Sequence, residues 1–105
     1  MQVLVTGATG FVGSNVAAAL AERGDQVRVL RRATSRLDAL EGVAVEQVMG
    51  DILAPDSLAP AMQGCQVVFH VAATAQYWRS SPETLYRVNV EGTRNVMQAA
   101  LAARV

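Results

Sequence analysis

The sequence predicts an α/β fold in which a parallel, doubly wound sheet carries helices on both faces. Four short apolar stretches, each typical of a buried strand, alternate along the 105 residues with segments that have helical periodicity or helix-capping residues. Strands that alternate with helices favour right-handed crossovers and therefore a parallel sheet. Three glycines at three-residue intervals also separate the first strand from the first helix, as in many sheets of this class.

The first strand and the first helix have the clearest patterns. Residues 1–6 are largely apolar and predict a buried strand, whereas residues 11–23 have apolar side chains at four-residue spacing, at Val12, Val16 and Leu20. Gly24 is well placed to end this helix.

Three further strands are predicted at QVRVL (26–30), VAVEQVM (43–49) and QVVFHVAA (66–73), with helical segments between the strands. The segment after the third strand contains Pro60, which a first helical turn tolerates if Ser57 is the cap. We therefore expect a short helix there.

The last helix is predicted to begin with Ser81 as its cap and Pro82 at its first position, and to run nearly to residue 105. Its inward face is defined by residues at helical spacing: Leu85, Val88, Gly92, Val96 and Ala99.

These four strands match the first part of a Rossmann-type sheet, in which their order is 3-2-1-4. We expect residues 1–105 to form this half-domain alone, without the C-terminal half of the fold. The apolar fourth strand would then be an open edge that favours pairing with another strand. A homodimer through this strand is therefore expected.

Composition excludes several classes of partner. Nine basic and nine acidic residues give no net charge, which argues against binding to nucleic acid or a membrane surface and favours a small-molecule partner. All nine basic residues are arginines. A single cysteine and a single histidine, Cys65 and His70, provide neither a disulfide nor a metal site. With no signal peptide and no apolar run of ~20 residues, we expect a cytoplasmic protein.

The glycine spacing suits a turn that binds phosphate. Gly7 would permit the tight turn, Gly10 would let a ligand approach the backbone, and Gly13 would let the helix pack near the sheet. The amides and the dipole at the helix N-terminus favour a pyrophosphate. The alternative is a loop that only reverses the chain.

Four motifs resemble the extended short-chain dehydrogenase/reductase family of the NAD-dependent epimerase/dehydratase type: TGATGFVG (6–13), GDI (50–52), HVAA (70–73) and NVEGTRNV (89–96). The stretches FHVAATAQYW and PETLYRVNVEGTRNVMQAAL look most like its dihydroflavonol-reductase-like branch, which includes hopanoid-associated sugar epimerases. The resemblance runs along the whole chain and implies a nicotinamide cofactor.

The resemblance also implies cofactor-binding roles for residues of the glycine loop, the third and fourth strand ends and the last helix, namely Gly7, Thr9, Gly10, Phe11, Val12, Gly13, Asp51, Ile52, Ala72, Ala73, Thr74 and Asn89. Within this set Asp51 and Ile52 would contact adenine, and Asn89 would face the nicotinamide ribose or a water near it. The alternatives are that Asp51 caps a helix or belongs to a loop, and that Asn89 holds a loop.

The end of the second strand bears on the choice of cofactor. An NAD-binding member would have an acidic residue about 20 positions past the glycine loop, whereas this chain has Arg31. Arg31, with Arg32, Ser35 and Arg36, offers donors suited to a 2′-phosphate, which predicts NADP. The alternative is a solvated basic loop and NAD as the cofactor.

His70 ends an apolar strand without a nucleophile motif, so we interpret it as a hydrogen-bonded core histidine. Tyr77, Trp78 and Arg79 follow where the resembling family begins its substrate loop. The two aromatic residues are predicted to line a pocket for a flat or sugar-like substrate, the alternative being that they cover the core.

The catalytic Tyr-x-x-x-Lys pair of the resembling family is absent, because Tyr77 and Tyr86 are followed four positions later by Ser81 and Val90. No catalytic residue is therefore predicted in these 105 residues. We favour the cofactor-binding N-terminal piece of a reductase or epimerase that acts on a carbonyl or sugar-like substrate. The alternatives are a complete, non-catalytic dinucleotide-binding protein and a redox-sensing regulator.

Overall fold

The computed structural model describes residues 1–74 and 78–105. Its four strands form one parallel sheet in the predicted order β3-β2-β1-β4, with bounds β1 (Gln2–Thr6), β2 (Gln26–Arg31), β3 (Val45–Met49) and β4 (Val67–His70). Because all four strands are parallel, their carboxyl ends meet at one edge of the sheet, where ligands bind in doubly wound folds.

The helices are α1 (Phe11–Glu22), α2 (Leu58–Met62), α3 (Pro82–Tyr86) and α4 (Gly92–Ala102). A π-helical turn, Arg87–Glu91, joins α3 to α4, so the predicted last helix is continuous. Two short 3-10 turns complete the described structure: Asp38–Leu40 and Pro55–Ser57. No helix among the described residues is long and apolar enough to cross a bilayer.

Both faces of β1 are buried, which makes the sheet doubly wound. Val3 and Val5 pack with Ala17 and Leu20 of α1 on one face. Leu4 packs on the other face in a cluster that includes side chains of α2 and α4. The alternation of side chains along a strand explains how successive β1 residues contribute to two cores.

Two predicted elements differ from the structure. The helix expected between β2 and β3 is wrong, because that connection contains only the 3-10 turn Asp38–Leu40. Ser57 precedes α2 but does not cap it with its side chain. Its Oγ instead accepts from the Asp51 amide at 3.0 Å and donates to the Ala54 carbonyl at 2.7 Å. The preceding 3-10 turn continues into α2, so the helix needs no separate cap.

Helix α1 was predicted from the spacing of Val12, Val16 and Leu20, but these residues do not share one buried face. Val12 is 60% exposed, whereas Gly13, Ala17 and Leu20 are buried. Gly13 lies close against the turn after β1, where a Cβ would meet backbone atoms.

The start and the inward face of the last helix are as predicted. Ser81 Oγ accepts from the Thr84 amide at 3.1 Å, and Pro82 is the first helical residue. Gly92 and Val96 are buried. A Cβ on Gly92 would lie 2.6 Å from Ile52 Cδ1, so the missing side chain permits close packing of this helix.

Strand β4 pairs only with β1 among the described residues and forms one edge of the sheet. Its four residues, Val67–His70, are all partly exposed. The homodimer expected through this edge stays a prediction.

Candidate functional site

A cleft of about 760 Å³ opens at the carboxyl edge of the sheet. It is bounded by the glycine turn after β1, the loops after β2 and β3, the segment after β4, and Thr84 and Val88 of the last helix. Its volume lies within the range of about 300–1,000 Å³ that small-molecule and cofactor sites occupy.

Two of the three glycines in the turn are required by the protein's own packing. Gly7 has a φ of +72°, and a Cβ there would lie 2.5 Å from the Ala72 amide nitrogen. A Cβ on Gly13 would overlap the Gly7 carbonyl oxygen and lie 2.9 Å from Ala8 Cα. Glycine at these two positions therefore lets the backbones of β1, the segment after β4 and the start of α1 pack closely together.

Gly10 has no comparable internal constraint. Its φ is −90°, and the nearest atom to a Cβ built there is the Gly7 carbonyl oxygen at 3.6 Å, an ordinary contact. The packing of the protein therefore does not require glycine at position 10, and the missing side chain leaves open space in the cleft.

The N-terminus of α1 opens on this cleft. The first intrahelical bond joins the Ser14 amide to the Gly10 carbonyl at 2.9 Å, so the amides of residues 11–13 have no acceptor within the helix. No side chain caps this end and no acidic residue lies in its first turn. Phe11 is 84% exposed beside it. These amides and the helix dipole favour an anionic group in the cleft.

The loop after β3 presents Asp51 and Ile52 to the cleft. Asp51 Oδ1 accepts from the Leu53 amide at 2.9 Å, so this carboxylate stabilises its own loop, in line with the loop alternative from sequence. Asn95 of α4 donates to the Ile52 carbonyl at 2.8 Å and fixes the loop to the last helix. Sequence reasoning missed Asn95, because nothing near it marks a contact 43 positions away.

Asn89 holds the segment that follows β4. Its Oδ1 accepts from the Thr74 amide at 2.9 Å, and its Nδ2 donates to the Thr74 carbonyl at 3.0 Å. Thr74 lines the cleft but Asn89 does not. The structure therefore favours the loop-holding alternative for Asn89 over direct contact with a ligand.

The three arginines at and beyond the end of β2 differ in position. Arg32 lines the cleft with Ser35, whose Oγ accepts from the Arg32 amide at 2.9 Å. Arg36 lies outside the cleft lining and pairs with Asp38 at 2.7 Å on the surface. Arg31 is also outside the lining, and its buried Nε has no hydrogen-bond partner among the described residues.

His70 is hydrogen-bonded through both ring nitrogens, which confirms its interpretation as a satisfied histidine. Nδ1 lies 2.7 Å from Thr6 Oγ1 on β1, and Nε2 lies 3.1 Å from Thr93 Oγ1 on α4. Burial lowers the pKa of the imidazole below its usual value. At neutral pH the ring is therefore uncharged.

Most residues predicted to bind a cofactor line the cleft: Gly7, Thr9, Gly10, Phe11, Val12, Gly13, Arg32, Asp51, Ile52, Ala72, Ala73 and Thr74. Sequence reasoning missed other lining positions because they are strand-end or helix-face residues without a distinctive pattern, namely Thr6, Leu30, Leu53, Val71, Thr84 and Val88. The pocket-lining prediction for Tyr77 lies outside the described residues, and Trp78 and Arg79 are exposed and outside the cleft lining.

Strand order, glycine turn and strand-end cleft together define a Rossmann-type α/β protein. The profile of the NAD dependent epimerase/dehydratase family matches residues 3–105. The chain belongs to this family.

Two curated relatives are similar along the chain. A dihydroflavonol 4-reductase-like protein of Synechocystis is 50% identical over 96% of this chain and 29% of its own length. Sterol demethylase protein B of Methylococcus capsulatus is 42% identical over the whole chain and 32% of its own length. The chain thus spans about a third of the length of these relatives.

Solved structures have the same fold. The crystal structure of gox2253 superposes with a TM-score of 0.90 and 52% identity over 98% of this chain and 31% of its own. A UDP-glucose 4-epimerase from Brucella ovis, solved in complex with NAD, has a TM-score of 0.87 and 34% identity over 98% of this chain and 33% of its own.

Proposed function

We propose that this chain is the cofactor-binding portion of an NAD(P)-dependent reductase or epimerase that acts on a carbonyl or sugar-like substrate, and that its preferred cofactor is NADP. The similarity to reductases and to NAD-bound epimerases supports a nicotinamide cofactor. Neutral composition and the single buried Cys65 thiol favour the reducing cytoplasm.

The contrast between Gly10 and its two neighbours in the turn carries the proposal. Gly7 and Gly13 are glycine because the protein's own backbone fills the space of their side chains. Gly10 is glycine although the protein leaves that space free. A ligand that approaches the α1 N-terminus closely accounts for Gly10, and the unpaired amides of residues 11–13 suit the pyrophosphate of a dinucleotide.

The remaining cleft residues fit the other parts of such a cofactor. We assign Asp51 and Ile52 to the adenine because both line the cleft and Asp51 Oδ2 makes none of the hydrogen bonds found among the described residues. Ala72 and Ala73 have small side chains where the nicotinamide half would cross the strand ends. When bound, the nicotinamide supplies hydride transfer, and the residues of this chain bind and orient it.

The NADP preference rests on Arg32. It lines the cleft with Ser35, and none of the hydrogen bonds among the described residues uses its guanidinium. A guanidinium binds phosphate through charge-assisted, often bidentate hydrogen bonds.

Calorimetric titration with NADPH and NADH tests both parts of the proposal. We expect NADPH to bind more tightly, and Arg32→Ala to weaken NADPH at least about tenfold, the equivalent of one charged hydrogen bond, while NADH changes little. Arg36→Ala is the matched control, because Arg36 is outside the cleft lining and is expected to leave both affinities unchanged. Tighter NADH binding would overturn the preference for NADP, and a folded chain that binds neither would contradict dinucleotide binding.

A non-catalytic dinucleotide-binding or redox-sensing module is the second candidate. These 105 residues contain no lysine and therefore no Tyr-x-x-x-Lys pair, so catalysis by the whole protein has to be tested directly. Hydride transfer by the gene product, measured as NADPH oxidation with a panel of ketones and nucleotide sugars, separates the two candidates.

A further inference from the structure

A chain of hydrogen bonds runs beneath the cleft from β1 to the last helix. Thr6 Oγ1 lies 2.7 Å from His70 Nδ1, and His70 Nε2 lies 3.1 Å from Thr93 Oγ1. Thr93 in turn donates to the Asn89 carbonyl at 2.8 Å. The parallel register that places Thr6 beside His70 brings the first two members together.

The donors and acceptors fix the direction of this chain. Thr6 Oγ1 accepts from the amides of Val71 and Ala72 at 3.1 and 3.2 Å. A hydroxyl has one proton and two acceptor sites, so its proton is left for His70 Nδ1. The imidazole is therefore the neutral tautomer with its proton on Nε2, which donates to Thr93, and every member is satisfied.

Both ends of the chain hold the same part of the cleft. At one end Thr6 binds the amides of Val71 and Ala72. At the other end Thr93 binds the carbonyl of Asn89, whose side chain binds both backbone groups of Thr74. Residues 71–74 all line the cleft, and we call them its floor. The chain of hydrogen bonds therefore supports the floor on which a cofactor would lie.

We propose that His70 is a positioning residue for this floor: its neutral ring joins Thr6 to Thr93 and so fixes residues 71–74 in the geometry that binds the dinucleotide. The inference rests on the proposed function above. His70 is not in the cleft lining, so it acts through the residues it holds rather than by touching the ligand.

Protonation of His70 reverses its hydrogen bond to Thr6. A second ring proton on Nδ1 would face the Thr6 hydroxyl, which then has to release the Val71 or Ala72 amide to accept it. The side chains that hydrogen-bond the ring among the described residues are Thr6 from β1 and Thr93 from α4, and neither is charged. Cofactor affinity should therefore fall as the imidazole becomes charged below its ordinary pKa.

The test uses the single histidine of the chain. Its ring nitrogens give one set of NMR signals, which should show the Nε2–H tautomer at pH 7.5. On acidification the Val71 and Ala72 amide signals of the free protein should move with the same midpoint as the imidazole. Val71 and Ala72 signals that stay fixed while His70 titrates would overturn the inference, whatever the protein binds.

Affinity for NADH is measured in parallel, since NADH lacks the 2′-phosphate that itself titrates near pH 6. We expect Thr93→Val to weaken NADH about tenfold, and Thr93→Ser, which keeps the hydroxyl, to restore it to within about twofold. His70→Gln should remove the extra loss of affinity at low pH. If Thr93→Val lowers only the melting temperature, the role is merely structural. If wild-type protein binds no dinucleotide, the proposed function fails, and the titration of the Val71 and Ala72 amides still decides whether His70 controls the floor.

Discussion

Replacing Gly13 with alanine should break the junction between β1 and α1. The added Cβ would overlap the Gly7 carbonyl oxygen, approach the Gly7 carbonyl carbon to 2.5 Å and approach Ala8 Cα to 2.9 Å. All three are backbone atoms of the turn, and none can move aside as the end of a flexible side chain can. Either the turn or the whole of α1 has to shift.

The expected loss of stability follows from two opposing effects. Overpacking costs about 1–3 kcal/mol, and overlap with three backbone atoms of one turn puts this site at the upper end of that range. Alanine favours a helix over glycine by about 0.8–1 kcal/mol, which offsets part of the cost. The net loss is about 2 kcal/mol, and at about 4–8 °C per kcal/mol the melting temperature falls by about 8–16 °C.

Gly10→Ala is the matched control in the same turn. Its Cβ would meet only the Gly7 carbonyl oxygen at 3.6 Å, so we expect a loss below about 1 kcal/mol, from the weaker N-cap. The same variant should abolish dinucleotide binding, because its methyl group enters the space proposed for the pyrophosphate. Thermal melts by circular dichroism measure the stability of both variants, and calorimetry measures binding. A Gly13→Ala protein that melts with the wild type would refute the packing argument.

Two further predictions concern pH and assembly. Burial lowers the pKa of His70 in the folded state, so the unfolded chain binds more protons below about pH 6.5 and stability decreases as the pH falls. The urea concentration at the unfolding midpoint should therefore be lower at pH 5.5 than at pH 7.5, and the difference should be smaller in His70→Gln. An equal pH dependence in the variant would assign the effect to other groups. Light scattering should give a dimer mass that falls to the monomer mass on dilution if β4 pairs with a second copy; a monomeric wild type at high concentration would contradict the homodimer.

Much of the fold could be predicted from sequence because its signals are local. Apolar runs indicated all four strands, and the Ser81–Pro82 pair marked the start of the last helix. The helix predicted between β2 and β3 failed because the segment between them has few apolar residues to form a packing face, and Leu40 alone is buried there within the 3-10 turn. The π-helical turn was not predicted, since no residue type marks one.

The site was predicted less completely, because its details depend on contacts between distant parts of the chain. The sequence analysis assigned Arg31, Arg32 and Arg36 to one phosphate. Successive side chains of a strand point to opposite faces, so Leu30 lines the cleft and Arg31 does not. Arg36 is outside the lining as well and pairs with Asp38. Asn89 was singled out correctly as a polar residue that needs partners, but only the fold shows that both partners belong to Thr74. The hydrogen bonds of His70 likewise join three separate elements.

The π-helical turn between α3 and α4 allows one continuous helix to serve two surfaces. Thr84 before the turn and Val88 within it reach the cleft, and Gly92 and Val96 after the turn pack against Ile52 and the core. A π-helical turn holds about one residue more than an α-helical turn, because its hydrogen bonds join residues five apart rather than four. The wide turn therefore accommodates one extra residue while the cleft-side half of the helix and the half packed on the core keep their faces in register.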